Sequence, residues 1–325
     1  MTFKMANDIL DLSGQPSDGI ASDYTIPTNV QLLDLTNTRC RKLEKLDGFK
    51  QLKKLVLRQN QIEKIEGLDQ LPSLLYLDLY DNSLTVIENI PSQLRYLDLS
   101  FNSIRKLDGL PQMSDLEELF MVNNKLSIIP NVFVGFHSLK GLELGANRLR
   151  KIENLEPLTA LENLWLGKNK ITRIENLSPL VNLRSLSIQN NRILVIENLD
   201  ALVNLEELYI SNNGITEIGG LSALRKIRIL DLSNNKIKKI ENLESQTEME
   251  EFWFNGNAVE SYEELKHLSH CKKIATLFLQ GNPLSSHTQY RNKILAYLPS
   301  LKEIDSTDVT SNSITAVLTG RSETH

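Results

Sequence analysis

Between Leu139 and Glu248 the chain repeats one 22-residue pattern five times. Each copy reads Leu/Ile-x-x-Leu-x-Leu/Ile-x-x-Asn-x-Ile/Leu-x-x-Ile-x-x-Leu; in one copy these positions are Leu161, Leu164, Leu166, Asn169, Ile171, Ile174 and Leu177. Few folds accept such a spacing. The Leu-x-Leu segment alternates with the period of a strand, so both leucines point to one side. The Asn falls where the chain turns away, and a buried Asn there can satisfy backbone groups of neighbouring coils that have no ladder partner. One coil cannot bury its own apolar side, so the copies must stack.

This is the pattern of a leucine-rich repeat. It predicts an α/β solenoid of right-handed coils, with a parallel concave β-sheet, short helices or 3-10 turns on the convex side and a C-terminal cap. The repeat reaches well beyond the five regular copies. A first coil begins at Val30, and others start at Leu52, Leu74, Leu94, Leu116, Leu139, Leu161, Leu183, Leu205, Ile227, Met249 and Ile274, twelve in all. The turn asparagines run from Asn60 to Asn282, and Thr38 takes their place in the first coil, as an atypical terminal coil would. A length of 325 residues alone would suggest two domains, but a sustained period predicts one elongated array. Residues 1–29 are rich in Asp, Ser, Thr, Gly and Pro without a period, and read as a mobile tail with local order near Tyr24 to Pro27. Residues 30–305 form the array, including a cap over about 283–305, and 306–325 read as a C-terminal tail.

Departures from the period mark changes on the return path. The third coil is two residues short, through Ile90-Pro91-Ser92, and the fifth one long, through Pro130 to Phe136. The eleventh gains three at Ser261 to Lys273, where Ser261 and Glu264 have the spacing of a capping box. After Asn282-Pro283 the apolar spacing of Tyr290, Ile294, Tyr297 and Leu298 predicts a helix, stopped by Pro299, that closes the last coil.

The net charge of −5 argues against a general nucleic-acid binder, whose affinity rests on cations neutralising phosphates. Only Cys40 and Cys271 are present, in distant coils, so no disulfide framework is available and a reducing compartment is expected. Met1 to Leu12 lacks a basic region followed by a long apolar run, and no stretch of about 18 apolar residues occurs, so neither secretion nor membrane insertion is expected. The sequon Asn176-Leu177-Ser178 is then accidental.

Partner chemistry is read from the outward positions around the strand leucines. Between the paired leucines stand Asp34, Val56, Asp78, Asp98, Phe120, Glu143, Trp165, Ser187, Tyr209, Asp231, Trp253 and Phe278. Two residues earlier stand Lys54, Tyr76, Tyr96, Glu118, Glu207 and Glu251, and two later Arg58 and Tyr80. A single acid here needs no explanation beyond solubility. Both tryptophans of the chain, Trp165 and Trp253, at solvent-facing positions do need one, and aromatics aligned with acids suggest a protein interface. Other chemistry is poorly supported. His267, His270 and Cys271 have helical spacing but no evident fourth metal ligand. Gly167-Lys168-Asn169 lacks the upstream glycine and following Ser/Thr of a phosphate loop. The face offers no nucleophile with a His partner, so neither catalysis nor a cofactor is expected.

The segments Lys151-Ile152-Glu153-Asn154-Leu155, Arg173-Ile174-Glu175-Asn176-Leu177 and Lys239-Ile240-Glu241-Asn242-Leu243, with Asn282-Pro283 and the closing stretch Tyr290 to Asp305, resemble the family of protein phosphatase 1 regulatory subunit 7. The resemblance covers Val30 to about Asp305. It implies a non-catalytic protein of nucleus and cytoplasm that binds the phosphatase catalytic subunit through its concave face. Its expected role is to control that enzyme's activity, maturation or localisation, including in mitosis, with a further phosphatase inhibitor as the third member of a ternary complex. The positions matching the family's partner-binding residues are Asp98, Phe120, Glu143, Trp165, Asp231, Glu251, Trp253 and Phe278. No short basic-x-Val/Ile-x-Phe/Trp docking segment is apparent, since Val134-Gly135-Phe136 lacks the leading basic residue, so binding is expected to use the folded surface. The alternative is a leucine-rich scaffold for spliceosomal or ciliary complexes, which shares the repeat.

Overall fold

The structure, a computed structural model, describes residues 4–6, 8–15 and 29–310. The segment near Tyr24 to Pro27 lies outside the described residues, as do 311–325 of the C-terminal tail. The chain divides into two compact units, Met1–Lys170 and Ile171–His325. Both are parallel-sheet solenoids.

In the first unit each coil contributes one three-residue strand: β3 Leu32–Asp34, β4 Lys54–Val56, β5 Tyr76–Asp78, β6 Tyr96–Asp98, β7 Glu118–Phe120, β8 Gly141–Glu143 and β9 Asn163–Trp165. They pair in parallel, with the first leucine of each Leu-x-Leu in register: Leu33, Leu55, Leu77, Leu97, Leu119, Leu142 and Leu164 form one buried row. The second unit repeats this with β10 Ser185–Ser187, β11 Glu207–Tyr209, β12 Ile229–Asp231, β13 Glu251–Trp253, β14 Thr276–Phe278 and β15 Glu303–Ile304. Its row is Leu186, Leu208, Leu230, Phe252, Leu277 and Ile304. Each such side chain stabilises the fold by about 1.5–3 kcal/mol through burial alone.

Of the short helices or 3-10 turns expected on the return path, the structure has mainly turns and 3-10 segments. Inward residues recur every third position, as in Leu149, Ile152, Leu155, Leu158 and Leu161, all at most 1% exposed. A repeat of three matches 3-10 or extended three-fold geometry, and in an α-helix of 3.6 residues per turn it would drift off the core face. Among the described residues the return path therefore holds turns and three 3-10 segments, Leu68–Gln70, Tyr262–Leu268 and Pro283–Ser286, with α1 at Tyr290–Tyr297 as the one α-helix. The 3-10 segment Tyr262–Leu268 is N-capped by Ser261, whose side chain accepts from Glu263 N. The capping box is only half formed, because Glu264 instead accepts from Ile240 N of the preceding coil.

The turn asparagines form a directional ladder. Asn147 is typical: Oδ1 accepts from Leu126 N of the preceding coil at 3.0 Å, and Nδ2 donates to Met121 O, Leu144 O and Gly145 O at 2.9–3.1 Å. Each Asn thus completes the coil before it. At the ladder's start Thr38, fully buried, presents its N–H and its hydroxyl to Asn60 Oδ1. A second set of asparagines, in the Ile-Glu-Asn-Leu segments, has positive φ and donates to an isoleucine carbonyl of the preceding coil, as Asn154 does to Ile129 O at 2.6 Å.

Both ends differ from the expected tails. Ile9–Asp11 (β2) pairs in parallel with β3 and antiparallel with Lys4–Ala6 (β1), so this part of residues 1–29 extends the sheet. At the other end Thr307–Asp308 (β16) turns back antiparallel on β15. Asp305, between them, serves this coil as a turn asparagine serves the others: Oδ1 accepts from Leu279 N and Gln280 N at 2.8 and 2.9 Å, and Oδ2 from the Tyr290 hydroxyl at 2.8 Å.

Candidate protein-binding face

Side chains between the inward leucines leave the sheet on its other face, because successive residues of a strand point to opposite sides. In the first unit the register aligns Asp98, Phe120, Glu143 and Trp165 at equivalent positions of four successive strands. Neighbouring parallel strands lie about 4.8 Å apart, so three such residues span only about 10 Å. Glu143 lies flat, its Oε1 accepting from Gly145 N at 2.8 Å. Glu118 lies over Gly141 in the same way, and a Cβ at either glycine would collide with the carboxylate above it. Burial pushes the Glu143 carboxyl up to about 7 and raises that of Glu118, where Glu117 adds to the effect. A burial cost of this kind is what an incoming cation would offset.

In the second unit Asp231, Trp253 and Phe278 align in the same way, with Tyr209 one coil earlier. Trp253 meets Phe278 edge-on at 5.8 Å and Tyr209 at 6.1 Å. Its indole N–H donates to Glu251 Oε2 at 3.1 Å, and Glu207 accepts from the Tyr209 hydroxyl at 3.3 Å. Burial, with Glu207 beside it, pushes the Tyr209 phenol up to about 12.

The structure corrects the expectation that all these positions face solvent. Asp98 and Asp231 are each only 6% exposed, and Asp78 is 1% exposed. The rings of Tyr209 and Trp253, two coils apart, lean together across the strand that carries Asp231 between them. The acids also have local work that the sequence pattern does not express: each accepts from the N–H two residues on, Asp98 from Ser100, Asp231 from Ser233, Asp78 from Tyr80 and Glu143 from Gly145. Sequence reasoning also passed over Gly141 and Gly145. Their signal was available, as two glycines on either side of Glu143, the first of them in register with Glu118 of the preceding coil.

Among the described residues no group of three or more His, Cys, Asp and Glu could hold a metal ion, and His267, His270 and Cys271 form no such group. Cys271 is buried, which pushes its thiol up to about 11. No helix of the described residues is long and apolar enough to cross a membrane.

The fold and the repeat define the class: the chain belongs to the leucine-rich-repeat proteins, whose family description "Leucine-rich repeat" matches residues 76–167 and 181–317. A two-copy form of the same repeat matches 50–92. Among curated relatives, the chain is 36% identical over 168 residues to a protein phosphatase 1 regulatory inhibitor subunit of Arabidopsis thaliana, covering 49% of this chain and 51% of that one. It is 50% identical over 54 residues to a protein phosphatase 1 regulatory subunit of Dictyostelium discoideum, covering 17% and 16%. These matches thus span about half the length of the first relative and about a sixth of the second. A crystal structure of an internalin from Listeria monocytogenes superposes with a TM-score of 0.79 at 25% identity, covering 93% of this chain and 87% of that one.

Proposed function

We propose that this chain is a non-catalytic regulatory subunit of protein phosphatase 1, holding the catalytic subunit on its acid–aromatic sheet face and controlling that enzyme's activity, maturation or localisation in nucleus and cytoplasm, including in mitosis. The observation that carries the reading is the placement of both tryptophans beside carboxylates, Trp165 next to Glu143 and Trp253 bonded to Glu251. Rings supply apolar area that leaves water on binding, and acids select a basic partner surface and disfavour acidic competitors. The names of the Arabidopsis and Dictyostelium relatives support the choice of partner. A further phosphatase inhibitor would join as the third member of a ternary complex.

Titration of the full chain with protein phosphatase 1 catalytic subunit tests this. Trp165→Ala and Trp253→Ala should each weaken binding by about 2 kcal/mol or more, as truncation of a central ring does. Glu251→Lys should cost at least as much by placing like charge against the partner. Glu175→Lys, off the sheet face, should leave affinity nearly intact. If both Trp variants and Glu251→Lys bind like the parent, the face is not the docking surface. If pull-down recovers ribonucleoprotein or axonemal proteins in place of the phosphatase, the scaffold reading replaces this one.

A further inference from the structure

Where its coils leave the sheet, the first unit has a flank with a charge pattern of its own. Just past their turn asparagines, coils four to six (residues 103–108, 125–130 and 148–153) hold six cations, Arg105, Lys106, Lys125, Arg148, Arg150 and Lys151, against two acids, Asp108 and Glu153. The whole chain has a net charge of −5, so these cations are gathered against the general balance. Where the coils enter the sheet the cations are already matched, Arg95 and Lys140 both pairing with Glu117. On the leaving flank Lys125 Nζ bonds Ser103 Oγ at 2.9 Å, and among the described residues none of the six cations takes part in an ion pair.

Apolar side chains alternate with these cations. Four residues past the turn asparagine, successive coils carry Val86, Lys106, Ile128 and Lys151. Val86 is 52% exposed and Ile128 56%, while the next residue of each coil, Ile87 or Ile129, is the one that fills the core. Val86 also lines a cleft of about 430 Å³ together with Arg105, Lys106 and Asp108 of the next coil. Single exposed apolar residues are ordinary, but two at one position of alternate coils, with cations between and beyond them, make a stripe. Its spacing is set by the backbone. Ser103 N donates to Leu84 O, Lys125 N to Ile104 O and Arg148 N to Leu126 O, each at 2.8 Å, so the coils stay hydrogen-bonded as they enter this flank. Their separation is then close to that of neighbouring strands, about 4.8 Å, and alternate coils lie about 10 Å apart. Seven residues of α-helix rise about 10.5 Å. An extended segment repeats its face about every 6.6 Å and falls out of step with the coils at once.

We infer that this flank is a second docking surface, which takes an acidic amphipathic helix of a partner protein laid across the coils. Its apolar residues at i and i+7 meet Val86 and Ile128. Its acids at i+3 and i+4 stand over Arg105 and Lys106, and those at i+10 and i+11 over Arg150 and Lys151. Charge complementarity selects the occupant, since the cations lack partners within the chain, and the apolar pair fixes the register along the stripe. The surface lies off the sheet face and does not depend on the phosphatase reading.

The test is a fluorescence-polarisation titration of the full chain against a labelled synthetic helix of about 18 residues, roughly 27 Å long. The peptide carries Leu at i and i+7, Glu at i+3, i+4, i+10 and i+11, and Ala and Gln elsewhere. It should bind, and added salt should weaken it. A peptide of the same composition with Leu and Glu moved to opposite faces should bind at least about tenfold more weakly. Ile128→Ser and Lys106→Glu, both at exposed positions, should keep the parent's melting temperature and each weaken binding by about tenfold or more. Trp165→Ala, on the sheet face, should bind the peptide like the parent. If the reordered peptide, or polyglutamate of equal length, binds as tightly as the designed helix, the flank responds to charge alone and the inference falls. It falls too if the designed helix does not bind, or if Ile128→Ser and Lys106→Glu bind it like the parent. Weakening by Trp165→Ala would seat the peptide on the sheet face and overturn the inference. Tighter binding of a single-stranded oligonucleotide of equal charge would make the flank a phosphate site, with the same result. None of these outcomes involves the phosphatase, so failure here leaves the docking reading standing.

Discussion

Replacing Asn147 by Ala tests the ladder that joins one coil to the next. Asn147 is 7% exposed, and its Oδ1 is the acceptor for Leu126 N at 3.0 Å. Its Nδ2 bonds are less critical. Met121 O also receives Asn124 Nδ2 at 3.3 Å, and Leu144 O also receives Asn169 Nδ2 at 3.0 Å, so those carbonyls keep a donor after the change. The main loss is a buried N–H with no partner, costing about 1–3 kcal/mol, with about 1 kcal/mol more from the weakened carbonyl bonds. The expected destabilisation is about 2–4 kcal/mol. Asn147→Asp separates the two halves of the side chain: it keeps the acceptor for Leu126 N but sets an oxygen against three carbonyls at 2.9–3.1 Å. At pH 7 it should therefore be no more stable than the Ala variant. Its raised folded pKa means that the deficit is present above that pKa and shrinks as acid protonates the group. Urea unfolding followed by circular dichroism, with amide exchange at Leu126, gives both numbers. An Ala variant within 0.5 kcal/mol of the parent, or an Asp variant above Ala at pH 7, would show that the ladder does not join the coils as argued.

Two further outcomes follow from buried carboxyls. Burial pushes Glu143 up to about 7 from an ordinary 4.5, so between those values the folded chain keeps a proton that the unfolded chain has lost. Its ionisation therefore costs stability fully above pH 7, and the cost is relieved as pH falls toward 4.5. Glu143→Gln should gain in melting temperature over the parent at pH 8 and lose that gain by about pH 4.5, and a gain confined to acid pH would reverse the assignment. Asp305→Ala should lower the melting temperature of the second unit, because Leu279 N, Gln280 N and the Tyr290 hydroxyl lose one shared acceptor. Bonds to a charged group are worth about 1.5–3 kcal/mol each, and a variant that melts like the parent would show that Asp305 does not close the array.

The inward rows and the ladder were legible because period and burial are tied directly: Leu-x-Leu gives the strand and Asn the turn. The return path was legible in part. Its three-residue spacing, as in Ile152, Leu155 and Leu158, already favoured 3-10 turns over short helices, a choice that the repeat pattern alone left open. Leu10-Asp11-Leu12 is a complete strand signal, hidden because no turn asparagine follows it. On the binding face, alternation tells which side a residue leaves from and nothing about what leans over it. Asp231 reads as exposed until the rings two coils apart are seen to meet.

The one-way asparagine ladder has a consequence for how such a chain can change length. Every regular 22-residue block carries one Asn that serves the block before it and a set of open groups that the block after it will serve. A block copied in frame therefore arrives with both halves of its joints, and a block lost in frame leaves the two flanking halves to meet. Neither event calls for a new contact. The residues that cannot be copied or dropped this way are the stops, Thr38 at one end and Asp305 at the other, since each ends a series that the interior only continues. Lineages carrying more or fewer coils would then differ by whole multiples of the block, while Trp165 or Trp253 could drift from coil to coil without the joints registering the change.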